Sequence, residues 1–237
     1  MKKLLIIKAG TTCSSALHAF GDFEDWIKQG ISQCRLPVIV VDAVAGAPLP
    51  KPEACFGVLI TGSHAMVTEN QPWSRAIETW IPDLVESGIP LLGICYGHQL
   101  LARALGGRVG YNPLGREVGT VQVLLKPAAG EDPLFRKINP VFQAHTIHEQ
   151  SVLELPPGAV CLAGNAHERN HAFRIGECAW GVQFHPEYTL QIMREYIRKE
   201  VCCVADCNEL LRAVSETPES GKILQDFARI AERFDDR

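Results

Sequence analysis

Short apolar runs alternate with amphipathic segments through the first 105 residues. Apolar runs of about four to eight residues between turn residues are typical of buried strands. Such runs occur at 3–8, 37–41, 56–60 and 90–94. Apolar residues at helical spacing predict helices at 21–30, from Pro72 onward and at 99–105. This alternation predicts an α/β fold with a mostly parallel central sheet and helices on both of its faces.

The pattern changes in the second half of the chain. Between 118 and 184 it becomes strand-rich, with strands predicted at 121–125, 160–163 and 173–175. The segment from about 190 to 237 has a helical pattern. No internal repeat or low-complexity tract interrupts the sequence. We therefore predict one domain over 1–237, with a strand-rich insertion in its C-terminal half and a helical C-terminal extension (about 190–237).

Composition narrows the class of protein. The chain has 237 residues, a net charge of −4 and a pI of about 6.1, which gives no electrostatic reason to expect a nucleic acid or an acidic membrane surface as partner. The apolar run near the N-terminus stops after Ile7, well short of a signal-peptide core of about 7–15 residues. No run approaches the length that spans a membrane. We expect a cytoplasmic protein.

The nine cysteines are odd in number and lack regular spacing. Such a set fits a reducing compartment better than a disulfide framework. Cys202, Cys203 and Cys207 form a local group, but no second ligand pair follows at the spacing that zinc sites use. We therefore predict neither disulfides nor a metal site.

The stretch 91–99, LLGICYGHQ, places a cysteine where an apolar strand changes abruptly to a helix. Gly93 and Gly97 flank Cys95 and mimic the G-x-S-x-G nucleophile elbow, because small residues permit a sharp turn. The N–H groups and the positive dipole at the helix start favour thiolate over thiol. The alternative is a buried cysteine at a strand end, the commoner fate of this residue type.

A second motif lies in the stretch 179–188, AWGVQFHPEY. In an extended segment, residues two positions apart point to the same side, so His185 and Glu187 are predicted to form a base and its orienting carboxylate. Pro186 stiffens the link. A cysteine, a histidine and an acid together make a nucleophilic triad, and their separation in sequence is no objection.

With these two motifs the chain resembles the class I, triad-type glutamine amidotransferases. Glutaminase domains of that family carry a G-x-C-x-G-x-Q elbow and a late H-P-E motif, and the pattern is similar to a stand-alone glutaminase domain of the GMP synthase kind. The resemblance implies a flavodoxin-like class I glutamine amidotransferase architecture. It also implies that Cys95 is the nucleophile, His185 the general base and acid, and Glu187 the partner that orients His185.

The stretch 56–63, FGVLITGS, resembles a third family element. The family usually has a second glycine and often a proline, as in G-G-P, where this chain has Thr61, Gly62 and Ser63. The resemblance implies that the backbone N–H groups of Gly62 and Tyr96 form an oxyanion hole. Taken alone, the stretch would be interpreted as a tight strand-to-loop turn; its place upstream of the elbow favours the oxyanion hole.

The resemblance also implies contacts to the substrate. Gln99 matches the family glutamine that contacts the substrate from the helix behind the nucleophile. The family's S-H-G or N-H-G stretch is matched best by Ala144, His145 and Thr146, although Ala144 and Thr146 depart from that pattern and His148 is additional.

One competing motif is rejected. Residues 167–171, HERNH, match H-E-x-x-H, which binds zinc only when both histidines share one face of a helix. Gly164 precedes the motif and Phe173 follows it within a predicted strand, so a polar loop between two strands is preferred.

The resemblance implies an enzyme, a glutamine amidotransferase that hydrolyses the side-chain amide of L-glutamine through a γ-glutamyl thioester. Neither a metal nor another cofactor is needed for this half-reaction, and the ammonia passes to a separate synthetase or other acceptor chain. A free-standing hydrolase of γ-glutamyl peptides or amides with the same triad remains open, because of Tyr188 and the altered stretch 144–146. A catalytically silent regulatory or binding module is a rival of another class, against which the intact Cys95, His185 and Glu187 count. A zinc hydrolase built on 167–171 is the weakest alternative.

Overall fold

The computed structural model describes residues 2–201 and 207–235. Its strands are β1 (Lys3–Lys8), β2 (Val38–Asp42), β3 (Cys55–Ile60), β4 (Leu91–Ile94), β5 (Arg108–Tyr111), β6 (Glu117–Leu125), β7 (Val141–His148), β8 (Gln150–Glu154), β9 (Val160–Gly164), β10 (Ala172–Ile175) and β11 (Ala179–Val182). Its α-helices are α1 (Ser14–Phe20), α2 (Phe23–Gly30), α3 (Pro72–Glu86), α4 (Tyr96–Ala104), α5 (Leu190–Tyr196), α6 (Asn208–Ala213) and α7 (Pro218–Asp235), and a π-helical turn (Ile197–Val201) follows α5. Short 3-10 turns occur at Pro52–Ala54, Val67–Glu69 and Pro127–Gly130.

Nine strands form one sheet in the order β2-β1-β3-β4-β11-β10-β9-β6-β7. The first five of these are parallel to one another, and their order is that of a flavodoxin-like sheet. From β11 to β7 every pairing is antiparallel. Strands β5 and β8 pair separately. The predicted α/β fold with a flavodoxin-like parallel centre and a strand-rich C-terminal half is confirmed.

Helices cover both faces of the parallel strands, as the continuous apolar runs require. Among the described residues, one core cluster contains Trp180 with Phe227 of α7, a second contains Ile81 of α3 with Leu100 of α4, and a third contains Trp26 of α2. Because α7 buries its apolar side in the first cluster, the C-terminal segment belongs to the core of the sheet. That residues 1–237 form a single domain stays a prediction.

The predicted strands and helices in the first half of the chain lie within about two residues of their observed ends, except around the elbow. There α4 begins at Tyr96 rather than Gln99, directly after Cys95. Helix α1 and strands β5, β7 and β8 were not predicted. Strand β7 alternates buried and exposed side chains over only part of its length and ends in polar residues, which weakens its signal in the sequence.

Two further findings concern cysteines and membranes. Cys207 is disulfide-bonded, which corrects the prediction that this chain forms no disulfide. Spacing along the sequence cannot show which thiols meet in space. Cys202 and Cys203 lie outside the described residues. Within 2–201 and 207–235, no helix combines the length and apolar character needed to cross a membrane.

Candidate active site

Cys95 occupies a strained turn between β4 and α4. Its φ of 49° and ψ of −96° are unusual for any residue but glycine. A Cβ on Gly93 would lie 2.3 Å from the carbonyl oxygen of Gly97, and one on Gly97 would lie 2.6 Å from that of Ile60. Glycine is therefore required on both sides of Cys95 for strand and helix to approach so closely.

His185 and Glu187 meet in a turn. Strand β11 ends at Val182, and the N–H of Tyr188 donates to the carbonyl of His185 over 3.3 Å, with Pro186 at the second turn position, which proline favours. The extended segment predicted for these residues is therefore wrong, although the predicted contact exists. His185 Nδ1 lies 2.7 Å from Glu187 Oε1, and both side chains are buried.

The ring of His185 is held on several sides. It stacks on Tyr188 at a centroid distance of 4.0 Å and on Phe23 at 6.3 Å. Its backbone N–H donates to the carbonyl of His145 over 2.8 Å. Burial favours the neutral ring, but the charges of Glu187 and Cys95 and hydrogen bonds to both raise the pKa of His185 to about 10. The protonated imidazole is therefore the favoured form of His185 at neutral pH.

The sulfur of Cys95 has two further neighbours. Gln183 Nε2 donates to Sγ over 3.5 Å, and the carbonyl oxygen of Ile147 lies 3.9 Å from Sγ. Gln99 Nε2 in turn donates to Gln183 Oε1 at 3.0 Å and to the carbonyl of Gln150 at 2.7 Å. Gln99 thus lies in the site as predicted, but its amide N–H groups are engaged within the protein. Gln183 was not predicted as a site residue. Its position two residues before His185 is the feature of the sequence that could have identified it.

Gly62 lies beside the histidine. A Cβ at Gly62 would lie 3.0 Å from His185 Cε1, so a larger residue at this position would have to displace the ring by a few tenths of an ångström. Tyr96 is the first residue of α4, where backbone N–H groups have no carbonyl of the preceding turn to bind. The N–H of Tyr96 thus belongs to the residue that follows Cys95, and Gly62 lies beside His185.

Several of these residues, but neither Gly62 nor Glu187, line a cavity of about 220 Å³. Its lining includes Cys95, Tyr96, Gln99, His185 and, on the far side, the stretch 147–150. In the part of the chain that the structure describes, the lining does not include Ala144, His145 or Thr146. Ala144, His145 and Thr146 are buried within β7. The segment that follows them, 147–150, borders the cavity.

A buried ionic cluster supports that segment. His148 Nε2 lies 3.2 Å from Glu117 Oε2 and His171 Nε2 lies 3.1 Å from the same oxygen, while Asn165 donates to Oε1 at 2.8 Å. Burial alone raises the pKa of Glu117, but the two histidines and Asn165 hold it well below the usual range. His148 Nδ1 faces the carbonyl of Gln150 at 3.0 Å, so the cluster fixes the backbone that Gln99 also contacts.

The stretch 167–171 is a loop, as predicted. It connects β9 to β10, His171 faces Glu117, and His167 faces the carbonyl of Gly115 at 3.0 Å. The two histidines thus have separate partners. Among the described residues, no group of three or more histidine, cysteine or acidic side chains is arranged to hold a metal ion.

The sequence model of a known family, "Glutamine amidotransferase class-I", matches residues 17–203. That is most of the chain. The chain belongs to the class-I glutamine amidotransferase family. The resemblance seen in the two motifs is confirmed.

Individual relatives agree with this assignment. The chain is 32% identical over 155 residues to the GMP synthase (glutamine-hydrolysing) of Cytophaga hutchinsonii, which covers 65% of this chain and 29% of that protein. It is 36% identical over 156 residues to the same enzyme of Thermus thermophilus, covering 60% of this chain and 30% of that protein. The chain thus spans less than a third of these relatives.

A solved structure shares the fold. The glutamine amidotransferase of Methylobacillus flagellatus superposes with a TM-score of 0.74 at 23% identity, covering 100% of this chain and 95% of that one. In the present chain, the stretch 61–63 departs from the G-G-P of the family, yet it retains the glycine beside His185.

Proposed function

We propose that this amidotransferase hydrolyses the side-chain amide of L-glutamine through a triad of Cys95, His185 and Glu187. The observation that carries the proposal is the pairing of His185 with Glu187 at 2.7 Å beside a cysteine on a strained elbow, at the wall of one cavity. A buried cysteine without a chemical role would need neither the strain nor the charged histidine.

In the first half of the reaction, the Cys95 thiolate attacks the amide carbon of glutamine. The N–H groups of Gly62 and Tyr96 stabilise the oxyanion, an interaction whose loss typically costs about 10²–10³ in rate. His185, held protonated by Glu187, gives its proton to the departing nitrogen, and ammonia leaves. A γ-glutamyl thioester remains on Cys95.

In the second half, water attacks the thioester. His185 takes a proton from the water as general base, and the carbon–sulfur bond breaks to release glutamate and restore the cysteine. Glu187 holds one ring nitrogen, so that the other faces the reaction. The residues themselves supply every proton transfer.

We place the substrate contact at 147–150 rather than at Ala144, His145 and Thr146. The carbonyl of Ile147 and the backbone near Gln150 border the cavity, and Gln99 holds the latter in position. His145 keeps a structural role, since its carbonyl accepts from the His185 N–H.

We also propose that the ammonia serves a synthetase or other acceptor site, because the relatives are named GMP synthases. The rival proposal is that the chain is a free-standing γ-glutamyl peptide hydrolase, because the same triad can hydrolyse such peptides.

The test is incubation of the purified chain with glutamine and a panel of γ-glutamyl peptides, with ammonia, amino-acid and glutamate release as the readout. Release of ammonia from glutamine, lost in Cys95→Ser, supports the proposal. Rapid peptide cleavage with negligible glutamine hydrolysis, unchanged when cell extract is added, supports the hydrolase instead. No release from any compound, with or without extract, contradicts both.

A further inference from the structure

An ion pair that does not belong to the proposed triad lines the same cavity. Arg116 and Glu200 both contribute to its wall, together with His64. Their side chains are 30% and 31% exposed, whereas Cys95 is 7% and His185 1% exposed. The charged pair therefore lies towards the mouth of the cavity, and Cys95 and His185 lie deeper in it.

The side chains of Arg116 and Glu200 are only loosely paired. Arg116 Nη2 lies 3.7 Å from Glu200 Oε2, beyond hydrogen-bonding distance, and Nη1 donates to the backbone carbonyl of Glu200 at 3.1 Å. Arg116 Nε is buried and has no hydrogen-bond partner within the described part of the chain. Since a guanidinium group carries five N–H donors, Arg116 retains donors for a ligand, and the Glu200 carboxylate retains acceptor capacity.

Both residues are placed by the elements around them. Arg116 directly precedes Glu117, which His148 and His171 anchor in the buried cluster. Glu200 belongs to the π-helical turn that follows α5, and such turns are frequent at functional sites.

A series of aromatic rings connects the two ends of the cavity. His185 stacks on Tyr188 at 4.0 Å, Tyr188 packs on Tyr196 at 5.1 Å, and Tyr196 stacks on His64 at 5.8 Å. His64 is within electrostatic reach of both Glu200 and Arg116. The cavity wall thus leads from the reacting sulfur to a pair of opposite charges.

We infer that Arg116 and Glu200 bind the α-carboxylate and the α-ammonium group of a γ-glutamyl ligand. The inference rests on the proposed function, because it uses Cys95 as the point where the side-chain amide reacts. The α-carbon of a γ-glutamyl group carries one anionic and one cationic substituent, which match the guanidinium and the carboxylate one to one. A guanidinium binds a carboxylate through two parallel hydrogen bonds, so the ligand can replace the loose internal contact.

The assignment has a chemical consequence. Ligands whose α-carboxylate is amidated lose the partner of Arg116, and ligands whose α-amine is acylated lose the partner of Glu200. The site therefore selects compounds with a free amino-acid head, whatever group is attached to the γ-carbonyl.

The experiment measures binding by calorimetry in a Cys95→Ala background, so that no ligand is consumed. The ligands are L-glutamine, its α-amide and N-acetyl-L-glutamine, tested with the full chain and with Arg116→Gln or Glu200→Gln added. We expect Arg116→Gln to weaken glutamine binding about 10- to 100-fold and to abolish discrimination against the α-amide. Glu200→Gln is expected to abolish discrimination against the N-acetyl compound.

Arg108→Gln is the matched control. Arg108 pairs with Glu154 at the surface, outside the cavity lining, and its loss should leave the affinities and discrimination unchanged. Circular dichroism checks that each variant is folded. Affinities and discrimination in Arg116→Gln and Glu200→Gln equal to those of the parent overturn the inference, as does a parent chain that binds none of the ligands. Tight, discriminating binding combined with no turnover by the wild-type chain instead contradicts the proposed chemistry alone.

Discussion

The parallel and antiparallel halves of the sheet contribute different things to the cavity. The parallel strands β3, β4 and β11 present main-chain geometry: the Gly62 turn, the strained Cys95 elbow and the turn that carries His185. The antiparallel half, with β5 and β8, presents side chains and their buried support, above all Glu117 and His148. The comparison suggests that the first half performs the proposed chemistry and the second determines which ligand reaches it.

The largest expected effect falls on the parallel half. His185→Ala should lower glutamine turnover by about 10⁴-fold or more, because His185 is the proposed proton donor and acceptor in both halves of the reaction. Glu187→Gln should be about 10²-fold less severe, since an orienting group usually contributes less than the base it orients. Steady-state ammonia release measures both. If His148→Ala is as damaging as His185→Ala, and His185→Ala is mild, the base has been misassigned.

The elbow glycines should matter for folding as well as activity. Gly93→Ala places a Cβ 2.3 Å from backbone, so we expect a loss of about 1–3 kcal/mol or more in the free energy of unfolding, together with loss of turnover. Gly130→Ala is the matched control, because its Cβ meets nothing within 4 Å. Urea denaturation compares the two. Equal stability of both variants would contradict the close packing inferred for the elbow.

The stability that Glu117 provides in the antiparallel half should depend on pH. Because the pKa of Glu117 is lowered in the folded state, its ionised form stabilises the fold above the unfolded pKa, near 4.5, and this contribution is lost as the pH falls below that value. The stability difference between wild type and Glu117→Gln should therefore shrink below about pH 4.5. Denaturation series at several pH values measure it. A difference that stays constant from pH 7 to pH 3 would show that the charge of Glu117 stabilises nothing.

The smallest expected change is a protonation shift without loss of fold. With a folded pKa of about 10, His185 should stay protonated at pH 8.5 and lose its proton only near pH 10. Its stabilising contribution is complete below the unfolded value of about 6.5 and is lost as the pH rises through 10. In Glu187→Gln the titration should move to lower pH, because the carboxylate charge that favours the protonated ring is removed. Nitrogen NMR of the ring follows both; titration near pH 6.5 in wild type would rule out the charged pair.

The same comparison explains how much could be predicted from sequence. In the parallel half, strands buried on both faces give continuous apolar runs, and the flanking glycines report the elbow directly, so Cys95 and the central strands could be located. The contact of His185 with Glu187 was also predicted, although from an extended segment where the chain makes a turn. Local spacing cannot distinguish these two geometries when both bring the side chains together.

The antiparallel half was harder to predict because its partners are distant in sequence. Nothing near Glu117 in the sequence indicates that His148 and His171 meet it. The predicted substrate stretch was 144–146, whereas the residues that border the cavity are 147–150. Register along β7 decides that placement, and the register depends on pairing with β6. The ion pair of Arg116 and Glu200 likewise joins segments that only the fold brings together.

The central claim is that Cys95 is the nucleophile of this chain. The most direct measurement is labelling of the native protein with a glutamine analogue that carries an electrophile, followed by mass spectrometry of the peptides. The account predicts a stoichiometric adduct on Cys95, absent in His185→Ala at matched times and suppressed by excess glutamine. A native, folded chain labelled mainly at another of its nine cysteines, with Cys95 unmodified, would contradict it.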